Sequence, residues 1–210
     1  MLQQYDDLLA NVRHDGKYHH IRSLVQPQDA EVRTIAAILS QSTDFAAACQ
    51  DFVDSFTTYA REVGDFWATP EETMTPHCPL CDNIALLPSS ELDDIYSCAC
   101  GWQGRPLRRG DCDDKAILLT SLLRYEYPAD QVFCAIGDHI LGSSREGHMW
   151  VVIEGGDDDY IVEATAPSRA PLRGRYQLMA IFNDVYAFAY PQGLRTFDLR
   201  PVSMQELVGA

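Results

Sequence analysis

The sequence predicts an α+β fold carrying a small metal-binding module, and three observations predict it. Helical periodicity fills the N-terminal third, β-branched and aromatic runs follow residue 130, and four cysteines crowd between residues 78 and 100. With 210 residues, 46% of them hydrophobic, the chain can bury one good-sized core, so one main domain with a satellite is expected.

In the N-terminal third, YDDLLANV is a short amphipathic start. After the break at Pro27, Asp29 caps DAEVRTIAAILSQ, which carries Val32, Ile35, Ile38 and Leu39 at helical spacing. Asp44 can cap a third helix, FAAACQDFVDSFTTYARE, in which Phe45, Cys49, Phe52, Val53 and Phe56 share a face; Cys49 is therefore a packing residue. From 67 to 110 proline, cysteine and short polar stretches replace the periodicity, as in a loop-rich insertion. AILLTSLLRYEY, apolar on all sides, is expected to be a central buried helix. After Pro128, QVFCAI reads as a strand that places Cys134 in the core. HMWVVIE and DYIVEAT, separated by Gly155 and Gly156, predict a hairpin, and the tail YQLMAIFNDVYAFAY adds a strand or a helix.

Charge and composition exclude some roles. A net charge of −15 disfavours a generic nucleic-acid binder, with Arg105, Arg108 and Arg109 as the one local basic spot. The chain is too polar for a membrane protein. Its opening, MLQQYDDLLANVR, has early acids and no apolar run, so a cytoplasmic location is expected.

The segment HCPLCDNIALLPSSELDDIYSCACGW holds a C-x-x-C pair, a 16-residue spacer, then C-x-C and a glycine. Without an export signal, this reads as metal ligation rather than disulfides. Cys78, Cys81, Cys98 and Cys100 are the expected ligands of a structural zinc ion, with His77 a substitute should one cysteine be unused. Four protein ligands leave no place for an activated water, so the zinc is expected to be a staple.

In RRGDCDDKAILLTSLLR a cysteine stands among three aspartates where an apolar helix begins. The aspartates suit a helix N-terminus, which also favours a thiolate, but activating Cys112 against those carboxylates requires a cation close by. His148, opening a strand, is the expected partner, and His139 the fallback base. If Gly155-Gly156 forms a two-residue turn, Glu154 faces Asp157 and His148 faces Glu163; a four-residue turn shifts the register by two and keeps both on one face. Cys112, His148 and Glu163 would then form a catalytic triad.

The blocks GDCDDKAILLTSLLR, GHMWVVIE and YIVEATAP resemble those of the transglutaminase-like superfamily, whose members place Cys, His and Asp in this order on a papain-like α+β core. The resemblance covers about residues 60 to 167. It implies Cys112 as nucleophile, His148 as general base and acid, and Glu163 where the family has Asp, one methylene shorter. WATPEETM resembles the segment that in bacterial and archaeal relatives runs almost directly into the cysteine block. The resemblance therefore implies a catalytic domain of residues 1–74 and 108–210, with a zinc ribbon inserted at 75–107. Trp67 resembles a family aromatic near the oxyanion site; a core tryptophan is the other reading. Peptide N-glycanases, similar in layout, also carry paired cysteines before the catalytic one.

The expected activity is that of a cysteine amidohydrolase, peptidase or transamidase acting on a protein or peptide through a thioester resolved by water or an amine, with hydrolysis the first choice. The alternatives are a glycanase-like amidase and a non-catalytic interaction module with a vestigial triad.

Overall fold

The computed structural model describes residues 20–61, 66–90, 95–155, 159–190 and 195–198. The expected first helix, YDDLLANV, lies outside them. A 3-10 turn over Ile21–Leu24 buries both of those residues and leads into helix α1, Ala30–Leu39. Asp29 caps α1, its Oδ1 accepting from the N–H groups of Glu31 at 2.9 Å and Val32 at 3.0 Å. Its buried face is Val32 and Ala36, with Ile35 and Leu39 packed beside them. Ile38, expected on that face, is 63% exposed because it lies about 200° around the helix from Ala36.

Helix α2, Phe45–Phe56, is capped by Asp44 and buries Phe45, Cys49 and Val53. It stops six residues short of the expected end at Glu62. Thr57 turns extended, its hydroxyl donates back to Val53 O at 2.6 Å, and Thr58–Tyr59 leaves as strand β1. β-Branched Thr57 and Thr58 favour the extended backbone, which finds a parallel partner downstream.

A capped single turn, α3 (Pro70–Met74), precedes the cysteine-rich stretch. There β2 (Leu87–Ser90), β3 (Ile95–Ser97) and β4 (Gln103–Gly104) form a small antiparallel sheet. His77 and Leu107 form a two-way backbone bridge at 2.7 and 2.9 Å, closing its base. Strand β5, Arg109–Gly110, pairs in parallel with β1 and delivers the chain to helix α4, Cys112–Leu123. As expected, α4 is central: every residue from Asp113 to Leu123 is buried.

The main sheet takes β6 (Val132–Leu141), β7 (Ser144–Glu154), β8 (Asp159–Val162), β9 (Arg175–Phe182), β10 (Ala187–Ala189) and β11 (Arg195–Asp198). The tail that periodicity left open is β9 and β10. The order is β10-β9-β6-β7-β8, with β11 also on β9, and all these pairings are antiparallel. Its two faces sort the side chains by the period of two. Val132, Cys134, Met149, Val151 and Ile153 pack with α4 and the other helices, whereas Phe133, Ala135, Trp150, Val152, Tyr176 and Leu178 build a second cluster.

Glu154 pairs with Asp159, leaving residues 155–158 between the strands, of which 156–158 lie outside the described residues. The two-residue Gly-Gly turn is thus replaced by a four-residue connection. Extending the register places Glu163 level with Trp150 and diagonal to His148, on the same face.

Candidate active site and cysteine cluster

Cys112 is the first residue of α4, and the aspartates around it are used locally. Asp111 Oδ1 accepts from the N–H of Asp113 at 3.4 Å, and Asp114 Oδ2 accepts from the N–H of Asp111 at 3.1 Å, a reciprocal cap. Asp114 Oδ1 also accepts from the N–H of Ala68 at 2.7 Å, tying the segment after Trp67 to the helix start. Gly110 permits this approach, because a Cβ there would lie 2.8 Å from Asp114 Cβ. These contacts account for the Asp111 and Asp114 carboxylates beside Cys112 as caps of the helix start.

Cys112 and His148 line one cleft of about 700 Å³, with Trp67, His139, Gly137 and Met179 among its walls. His148 Nε2 lies 2.8 Å from Glu163 Oε2. Burial opposes the charged imidazole, yet hydrogen bonding and charge from Cys112 and Glu163 outweigh it and push His148 up to about 10. Burial likewise opposes ionised Glu163, and the His148 contact followed by Thr165 holds it down at about 2. The favoured state is a buried imidazolium–carboxylate pair with a sulfur beside it. An adjacent imidazolium stabilises a thiolate by Coulomb attraction.

The surroundings of Glu163 escaped sequence reasoning. Its Oε1 accepts from the Thr165 N–H at 3.0 Å and the Thr165 hydroxyl at 2.7 Å; its Oε2 also accepts from the Tyr176 phenol at 2.9 Å. Gln50 on α2 donates to the carbonyls of Glu163 and Ala166, each at 2.9 Å, and Asp51 accepts from the Ser168 N–H at 2.8 Å and hydroxyl at 3.0 Å. The E-x-T spacing was a readable local signal, since threonine hydroxyls bond to groups two residues away. Gln50 and Tyr176 had none. Lys115, buried at 2% exposure, places Nζ 3.7 Å from Asp54 Oδ1 and also acts electrostatically on Glu163.

Trp67 is 5% exposed, stacks on Phe182 at 6.2 Å, and lines the cleft, so it packs in the core and borders the site. His139, 5.7 Å from His148 between ring centroids, contacts the Arg173 carbonyl through Nε2 at 2.7 Å. Cys49 and Cys134 are fully buried; burial pushes both thiols up, Cys134 to about 12.

Cys78, Cys81, Cys98 and Cys100 come together as a second site. Their sulfurs all lie within 4.8 Å of one another, with Cys78–Cys100 at 3.6 Å and Cys81–Cys98 at 3.5 Å. A disulfide needs about 2.05 Å, whereas thiolates at about 2.3 Å from one tetrahedral ion stand roughly 3.8 Å apart. Backbone N–H groups of Leu80 and Cys81 bond the Cys78 sulfur, as in a tight knuckle. The donor set fits a metal ion. His77, offered as a substitute ligand, is not in this cluster; its Nδ1 lies 3.3 Å from Asp82 Oδ1. Two of the three arginines of the basic spot are engaged: Arg108 stacks over Phe56 at 4.4 Å and Arg109 pairs with Asp82 at 2.8 Å. Among the described residues no helix is long and apolar enough to cross a membrane.

No family model matches the chain, and no curated protein matches it. Among solved structures it is similar to Legionella pneumophila LapG, EGTA-treated, at 17% identity over 85% of this chain and 88% of that one. The TM-score of 0.44 is too low to show a shared fold.

Proposed function

We propose that this chain is a cysteine amidohydrolase of the transglutaminase-like type, most simply a peptidase. The observation that carries the proposal is the His148–Glu163 pair, 2.8 Å apart, whose imidazole lines one cleft with Cys112 at a helix N-terminus. Cys112 Sγ attacks the amide carbonyl carbon. The C–N bond then breaks as His148 gives its proton to the leaving amine, and a thioester remains. Water attacks the thioester while His148 takes its proton, the acid leaves, and the sulfur is restored. Backbone N–H groups at the start of α4 are suited to the oxyanion, and Trp67 is the side chain proposed to border it.

In the same reading residues 75–107 form an inserted zinc ribbon, supported by the sulfur geometry and by the His77–Leu107 bridge at its base. Zinc, held by Cys78, Cys81, Cys98 and Cys100, would be structural and take no part in the reaction.

Alkylation by a small haloacetamide at mildly acidic pH, with the labelled residue found by mass spectrometry, tests the pair before any substrate is known. Fast labelling of Cys112 that is lost in His148→Ala is expected. Slow labelling unchanged by that substitution would overturn the enzymatic reading.

A further inference from the structure

His148 and Tyr176 share one oxygen of Glu163. The phenol donates to Oε2 at 2.9 Å, the same atom that His148 Nε2 meets at 2.8 Å, while Thr165 occupies Oε1 with two donors. Four donors from three parts of the chain therefore fix a carboxylate on a side chain one methylene longer than aspartate. Glu163 has an extra rotatable bond before its carboxylate, which such a set of contacts immobilises. Tyr176 is 2% exposed, and its ring is gripped on two sides: stacked on His139 at 4.6 Å and edge-on to Trp150 at 5.0 Å. It sits on β9 directly across from His139 on β6, so the sheet register brings the phenol to the acid.

We propose that Tyr176 is a positioning residue of this site, its hydroxyl holding the Glu163 carboxylate in the plane that presents Oε2 to His148. Thr165 fixes the other oxygen, and the two together let glutamate serve as the orienting acid. The inference rests on the Cys112–His148–Glu163 reading above. The groups acting on His148 are Cys112 on α4, His139 on β6, Glu163 after β8 and Tyr176 on β9, with Lys115 acting electrostatically on the carboxylate. Burial and the adjacent carboxylate keep the Tyr176 phenol protonated, so it stays a donor across the accessible pH range.

The test is the rate of Cys112 labelling by iodoacetamide from pH 5 to 10, with the His148 titration followed by NMR of its imidazole nitrogens. It compares wild type, Tyr176→Phe, Thr165→Val and His148→Ala. Tyr176→Phe keeps the ring and its packing. It should move the His148 titration down by about three- to tenfold in acidity constant, the worth of one hydrogen bond, and carry the upper limb of the Cys112 labelling profile down with it. Thr165→Val should do the same more weakly, because its backbone N–H remains; it also serves as the second probe should Tyr176→Phe fold poorly. Wild-type labelling and an unmoved His148 titration in folded Tyr176→Phe would overturn the inference while leaving the His148 effect standing. Labelling insensitive to His148→Ala would instead overturn the triad reading itself.

Discussion

The two cysteine-bearing regions are built on opposite principles. In the cluster, ligands arrive in close pairs, Cys78 with Cys81 and Cys98 with Cys100, and knuckle amides next to them set the geometry. At the cleft, Cys112 comes from α4, His148 from β7, and Glu163 behind it from the segment after β8. Their support comes from farther away: Gln50, 113 residues before Glu163, and Tyr176, 13 after it. Local geometry gives a site able to close around an ion, whereas distant geometry gives one that exists only when the whole core is packed. The cluster should fail by losing its metal, and the cleft by losing its fold.

The sharpest break of this comparison is Cys112→Ala. It should abolish amidase activity, by more than about a thousandfold in kcat, while leaving metal content and melting temperature near wild type. Full activity in that variant, measured on a peptide substrate library, would remove the cleft from the chemistry. Second in size is Cys98→Ser. If the proposed zinc is bound, elemental analysis should show it falling from one per chain in wild type to near zero, and thermal melting should show loss of the small β2–β4 sheet ahead of the main core.

Glu163→Gln comes third. It removes the carboxylate charge that helps hold His148 at about 10, so the imidazole titration should move down and the pH at which Cys112 labelling loses its dependence on His148 should fall with it. The direction of the wild-type pH dependence follows from the same pair. Because His148 is raised from 6.5 to about 10, its contribution to stability is complete below pH 6.5 and disappears as pH rises through about 10. Because Glu163 is lowered from 4.5 to about 2, its contribution is complete above pH 4.5 and disappears as pH falls through about 2. Equilibrium unfolding of wild type and Glu163→Gln across this range should show the difference between them largest between about pH 4.5 and 6.5 and smaller on either side.

The smallest effect tests the backbone. Gly110→Ala would bring a Cβ to 2.8 Å from Asp114 Cβ and loosen the tie to Ala68, at a cost of about 1–3 kcal/mol in denaturant unfolding. No change in stability would mean that the helix start tolerates more space than its contacts indicate.

Much of this architecture was legible in the residues. Asp29 and Asp44 announced two helix starts, the all-round apolar run after Cys112 announced a buried helix, and paired cysteines announced the cluster, because each is written within a few positions. The end of α2 was missed because the strand that draws Thr58–Tyr59 away lies 51 residues downstream. Of the two hairpin registers the residues allowed, Gly155-Gly156 suits the tight turn, whereas the ladder ends at Glu154 and Asp159, the four-residue alternative. His148 and Glu163 nonetheless kept one face, since a shift of two preserves side-chain parity. Tyr176 could not be read at all: it is an ordinary strand aromatic until the β6–β9 pairing places it beside the acid.

The His77–Leu107 bridge has a consequence for how such a chain could arise. The strands that carry the polypeptide out to the cysteine cluster and back run side by side, joined by two backbone hydrogen bonds, so roughly thirty residues leave and return through a single narrow gate. A lineage could gain or discard everything beyond that gate, closing it with a short hairpin turn, and the 58–60 and 108–110 segments that lead into the Cys112 helix would keep their pairing. The excursion and the chemistry are therefore free to change at different evolutionary rates.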